Sequence, residues 1–118
     1  MTKPGGIIIV GEPFFIKPPS EWYTKQTEMT ESSYGSHHGN VAIGENLGLR
    51  FMYSIVSSLD DWDKYEMLQS LGVDHHLQHN PNDPDNEEIV KKVAESTEAY
   101  MKEGREIFGS ALYVFRKI

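Results

Sequence analysis

A carboxylate and two sets of histidines are the side chains best placed by type and spacing to do chemistry. Glu12 stands just past the aliphatic run Ile7-Ile8-Ile9-Val10, which reads as a strand. The segment Gly11-Glu12-Pro13-Phe14-Phe15 then falls at the carboxyl end of that strand, where open α/β sheets carry their active sites. A carboxylate there can orient or deprotonate a substrate, with Phe14 and Phe15 walling a pocket. The plain alternative is a loop carboxylate in water. His37-His38 opens a helix beside a polar loop, and either imidazole is a candidate general base. The alternative is a surface pair at a helix start. His75, His76 and His79 form H-H-x-x-H, which puts His75 and His79 on one helix face at a spacing that zinc sites use. No third ligand is evident, and His76 occupies the position where the metalloprotease motif needs Glu, so no metal is expected and these two are weak candidates. Asp60, Asp61 and Asp63 are explained by a helix start as well as by magnesium. Asn82-Asp83-Pro84-Asp85 lacks the central Gly of a calcium loop. Trp62 and Tyr65 are candidates for substrate contact, with core packing as the alternative.

These residues need elements to hold them. A Pro4-Gly5-Gly6 turn leads into the first strand, over residues 7–11. A loop with three prolines follows, and Ser20 can cap a short helix from Glu21 to about Glu28. A second short helix is expected over 37–47, stopped by Gly48, then a strand over 49–57. Ser57-Ser58 with Asp60 and Asp61 opens a helix that carries Trp62, Tyr65, Leu68 and Leu71 on one face and runs to about His79. Asp85-x-x-Glu88 resembles a capping box before a last helix. That helix shows a 3.6-residue period to its end, through Ile89, Val93, Tyr100 and Ile107, with Gly109 as its stop. Residues 110–117 alternate as a third strand.

Composition sets the class. The 118 residues fit one domain, 1–118, and 38% hydrophobic with 25% charged residues allows a packed core. A net charge of −7 argues against nucleic acid and against acidic membrane surfaces. No cysteine is present, which excludes disulfides and a thiol nucleophile and fits a cytoplasmic location. Neither a transmembrane stretch nor a signal-peptide pattern is expected.

Four stretches taken in order, Lys3 to Phe14, Gly44 to Leu49, Asp60 to Glu66 and Gly104 to Lys117, resemble one family, the class I S-adenosylmethionine-dependent methyltransferases of the small-molecule branch. Lys3 to Phe14, with its PGG-strand-G-E-x-F pattern, is similar to the family's fifth strand. Gly44-Glu45-Asn46-Leu47-Gly48-Leu49 resembles the helix end before the sixth, and Asp60-Asp61-Trp62-Asp63-Lys64-Tyr65-Glu66 a "DDWDRYE" segment. Gly104 to Gly109 followed by Leu112 to Lys117 resembles the closing helix and strand. The resemblance covers the carboxyl-terminal half of that fold. It implies an α/β, truncated Rossmann-like, three-stranded mixed sheet, with the last strand antiparallel in the middle and helices on both faces. The family's glycine-rich cofactor turn has no counterpart, because no two glycines stand two apart. No cofactor-binding residues are therefore expected, although the resemblance implies S-adenosylmethionine for the whole fold.

The expected function is the substrate-side half of a small-molecule methyltransferase, inactive without a cofactor-binding half. The alternative is a non-catalytic binding or oligomerisation module, and a weaker one a His-based metal binder. Because the family's fourth strand is missing, residues 7–10 should form an apolar sheet edge. A homodimer through that edge is expected, unless a separate amino-terminal methyltransferase half covers it.

Overall fold

Turn glycines and β-branched runs set the first strand, as the sequence suggests. The computed structural model describes residues 2–118. Its order is β1 (Ile7–Phe15), α1 (Glu21–Thr27), α2 (His37–Asn46), β2 (Leu49–Val56), α3 (Leu59–His79) and α4 (Asn86–Ala99), then a π turn (Tyr100–Gly104), a last helical turn (Arg105–Ile107) and β3 (Phe108–Lys117). The chain divides into two compact units: residues 2–19, 30–57 and 106–118 form the sheet unit, and residues 20–29 and 58–105 form the helical unit.

In the sheet unit the strand order is β1-β3-β2, and both ladders are antiparallel. β1 and β2 therefore run in the same direction, separated by the last strand, as the resemblance implies. β1 is longer than expected. It runs on through Glu12 and Pro13 to Phe15, so Glu12 sits within the strand, opposite Ala111. Proline is tolerated because β1 is an edge strand, whose outer amides have no ladder to complete. β3 also starts early, at Phe108, which places Gly109 inside the strand rather than at a helix stop. A Cβ on Gly109 would run into the Phe14 ring across the ladder. Glycine is required there by close approach. β2 carries a bulge at Met52.

α2 lies on one face of this sheet. Ser36 caps it, its hydroxyl accepting from the Gly39 amide at 2.9 Å. His37, Asn40, Val41 and Gly44 recur at helical spacing on the side that meets the sheet. A Cβ on Gly44 would fall on the Phe115 ring, so the glycine lets helix and sheet close up. Gly48 ends the turn with φ +86°, a conformation that favours glycine. The core is Phe14, Ala111, Tyr113 and Phe115, with Ile8, Val41, Leu49 and Phe51 packed against it.

The helical unit is built from α1, α3, α4 and the π turn. Ser20 caps α1, accepting from the Tyr23 amide at 3.1 Å. The Ser20 amide and hydroxyl both donate to the Glu103 carboxylate. Two expectations fail here. The last helix is not regular to its end: a π turn interrupts it at 100–104, and the row of Val90, Ala94 and Met101 is exposed while Tyr100 is buried. Asp85 makes no side-chain cap; its own amide donates to Asp83 Oδ1 instead. The Glu88–Lys92 pair forms on α4, and the Glu98–Lys102 pair joins α4 to the π turn. The stripe expected to bury α3 is largely uncovered, with Tyr65, Leu68 and Leu71 60%, 63% and 66% exposed.

Candidate functional site

The sheet unit brings together residues that are distant in sequence. Tyr113 points from the central strand to the α2 side and is 1% exposed. A buried tyrosine hydroxyl needs partners. His37 Nδ1 lies 2.7 Å from it and Asn40 Nδ2 lies 3.2 Å away. The Asn40 amide also donates to the Pro13 carbonyl at 3.1 Å, which ties α2 to β1. The Phe14 ring packs on the His37 imidazole with centroids 4.6 Å apart, and the Tyr113 ring is 5.3 Å from the same imidazole. Helix, edge strand and central strand thus clamp His37 from three sides, and its Nε2 has no partner among the described residues.

A groove of about 360 Å³ opens in the same unit. Phe15, Pro18 and Tyr34 give it apolar walls, Lys17 and Glu31 carry charge, and Ser36, the residue before His37, lines one end. Phe15, Tyr34 and Phe108 pack as a ring cluster, with centroids 4.8 to 5.8 Å apart. The volume lies in the range of small-molecule sites.

The remaining candidates are placed as follows. Glu12 is exposed and shares the α2 side of β1 with Phe14 and Ile8 by strand alternation. His38 is exposed, facing away from the Tyr113 network. Phe14 is a core residue; Phe15 lines the groove. Trp62 and Tyr65 belong to the helical unit, where their rings stack 5.8 Å apart. The His75 and His79 rings lie 4.2 Å apart, and the His79 Nδ1 is engaged with the His75 carbonyl at 2.9 Å. Among the described residues no group of three His, Cys, Asp or Glu side chains is arranged to hold a metal ion.

The helical unit holds a second polar cluster that sequence reasoning missed. Asp63 accepts from the Tyr100 hydroxyl at 2.6 Å and from Arg105 Nε at 2.9 Å and Nη2 at 3.2 Å. The Arg105 hydrogen bonds, then that of Tyr100, hold the Asp63 carboxyl below the ordinary range. Burial, reinforced by Asp63, pushes the Tyr100 hydroxyl well above its ordinary value. Burial also raises Glu66. Asp63 is thus committed to a tether rather than to the helix start or to a cation. A signal for the Tyr113 network was present: a tyrosine in an alternating core strand needs polar partners, and His37 and Asn40 stand three apart on one helix.

A nucleoside cofactor would need a glycine turn after a strand, and the strands here do not supply one. β1 is followed by Ile16-Lys17-Pro18-Pro19, and β2 by Ser57-Ser58. Neither strand end carries two glycines two residues apart. Among the described residues no helix is long and apolar enough to cross a membrane.

No family model matches the chain. It is 26% identical over 113 residues to the uncharacterized protein YjhP of Escherichia coli K12, covering 94% of this chain and 46% of that one. The crystal structure of YjhP superposes with a TM-score of 0.88 at 25% identity. A methyltransferase from Geobacter sulfurreducens, solved with S-adenosyl-L-homocysteine, gives a TM-score of 0.86 at 25% identity; it covers 98% of this chain and 47% of that one. One from Thiobacillus denitrificans, with the same ligand, gives 0.85 at 30%, covering 98% and 48%. The chain spans about half the length of the relatives it matches, and its three-stranded α/β fold is that of a part of these S-adenosylmethionine-dependent methyltransferases.

Proposed function

We propose that the chain is the substrate-side half of a small-molecule methyltransferase, completed by a cofactor-binding half that supplies the methyl donor site. What carries this reading is the superposition of 98% of the chain on 47% of a methyltransferase that binds S-adenosyl-L-homocysteine, in a chain whose own strand ends offer no glycine turn. The acceptor binds in the groove of Phe15 and Tyr34, whose lining reaches Ser36, the residue before His37, with Lys17 and Glu31 as its charged groups. Calorimetric titration with S-adenosylmethionine tests the division of labour. The isolated chain gives no saturable heat up to millimolar ligand, and tight binding would overturn the reading.

A second reading, a non-catalytic module that dimerises, is favoured by one observation. β1 has an open edge, and Ile7 and Ile9 on its outer face are 54% and 63% exposed. An apolar edge without charge in its middle pairs readily with another strand. Light scattering after size exclusion separates the readings: a homodimer that Ile9→Lys dissociates supports pairing of β1 with its copy, and a stable monomer at high concentration refutes it.

A further inference from the structure

The hydrogen-bond pattern around Tyr113 fixes more than the position of His37. The Pro13 carbonyl can only accept, so the Asn40 atom facing it is the amide nitrogen. That same nitrogen, 3.2 Å from the Tyr113 oxygen, donates to it. The hydroxyl has one proton of its own, and its remaining close partner is His37 Nδ1, at 2.7 Å. The proton therefore runs from Tyr113 to Nδ1, and the neutral ring carries its own proton on Nε2. The reverse tautomer would have Nδ1–H donate to an oxygen that already receives the Asn40 amide. The Tyr113 proton would then have no acceptor in surroundings where the residue is 1% exposed. A buried donor left unmet disfavours that tautomer by about tenfold or more.

We propose that His37 presents Nε2–H as a fixed hydrogen-bond donor to an acceptor group of the substrate, a carboxylate or carbonyl, with Tyr113 and Asn40 as positioning residues. This rests on the reading of the chain as a substrate-side half. The neutral ring has its lone pair turned inward at Nδ1, so His37 orients the substrate and does not take a proton from it. The groove lined by Phe15, Tyr34 and Ser36 comes up to the residue before His37, and its apolar walls suit a flat apolar body.

The tautomer is read directly from two-bond proton–nitrogen spectra of the labelled chain at about pH 8.5, where imidazole is neutral. The His37 signals are assigned by their loss in His37→Gln. The expected pattern is a fully unprotonated Nδ1 and a fully protonated Nε2, against an averaged pattern for exposed His38. In Tyr113→Phe the His37 signals move toward that averaged pattern. A proton on Nδ1 in the wild-type chain, or averaging equal to that of His38, overturns the proposal, and this decides even if Tyr113→Phe fails to fold. Benzoate and benzylamine then probe the ligand class. A saturable shift of the His37 Nε2–H with benzoate alone supports an acceptor-bearing substrate; no response, or a response to benzylamine alone, overturns it. These readouts concern ring nitrogens and not methyl transfer, so they can fail while the methyltransferase reading stands, and the reverse.

Discussion

Gly109→Ala is a sharp test of how the sheet unit is packed. A Cβ built on Gly109 lies 2.5 Å from Phe14 Cε2 and 2.8 Å from Cε1, with Cζ nearer still. Ordinary contact begins at 3.4 Å, so the overlap is 0.9 Å at Cε2 and 0.6 Å at Cε1, and larger at Cζ. The ring cannot simply swing away, because Phe14 is buried and His37 packs on it at 4.6 Å. Overpacking of this kind costs about 1–3 kcal/mol, and the rigid, hemmed ring puts Gly109→Ala near the upper end. At roughly 3–6 °C per kcal/mol for a chain of this size, the melting temperature should fall by about 8–15 °C. Calorimetry of Gly109→Ala, Phe14→Leu and the double variant gives the cycle. Trimming the ring should restore most of the loss caused by the alanine, with a coupling of about 1–2 kcal/mol. If Gly109 served the backbone as a helix stop, Phe14→Leu would rescue nothing. Additive losses, or a Gly109→Ala melting point within 2 °C or so of wild type, would refute the packing argument.

Other outcomes follow from the same geometry. Asp63 has a depressed folded-state value, so its contribution to stability is present above the ordinary carboxylate range and fades as pH falls through its folded value; Asp63→Asn should flatten the acid limb of urea midpoints below about pH 4. Glu66 has the opposite sign: its raised value means that ionisation opposes folding, so Glu66→Gln should stabilise at pH 7 and match wild type once both states are protonated, by the same urea series. Ser36→Ala removes the acceptor for the Gly39 amide and should cost about 1 kcal/mol, read as a lower urea midpoint at unchanged slope.

Strong local patterns were legible in the sequence. Ser20 and Ser58 each announced a helix start and each accepts from an amide in the first turn; Ser36 does the same for α2, although the sequence read only as a polar loop there. The run Ile7 to Val10 announced β1, and Gly48 the end of α2, while the central place of β3 came from the resemblance and not from periodicity. What was hidden depended on partners far along the chain. Pro13 read as a strand breaker because edge position is a property of the sheet, not of the residue. Gly109 read as a stop because Phe14, which demands it, lies more than ninety residues away. The π turn was invisible since its apolar spacing still matches a helix. Tyr65, Leu68 and Leu71 had the pattern of a core stripe, but periodicity states which residues share a face and not whether anything covers it. The Tyr113 network joins residues 73 and 76 apart, and no local window contains it.

The central position of β3 also dictates when the sheet can exist. β1 and β2 do not touch each other; each pairs only with the strand that comes last. On a ribosome adding about 5–20 residues each second, β1 waits on the order of 5–20 s for its partner to be made. During that interval Ile7 to Val10, and the apolar residues of β2, are unpaired strands with no ladder to join. Closing β1 against β3 then spans almost the whole chain, a non-local pairing of the kind that slows folding. The nascent chain is therefore at its most aggregation-prone until Phe108 to Lys117 appears, and a stall or truncation before that segment leaves two strands, both sticky, and no sheet.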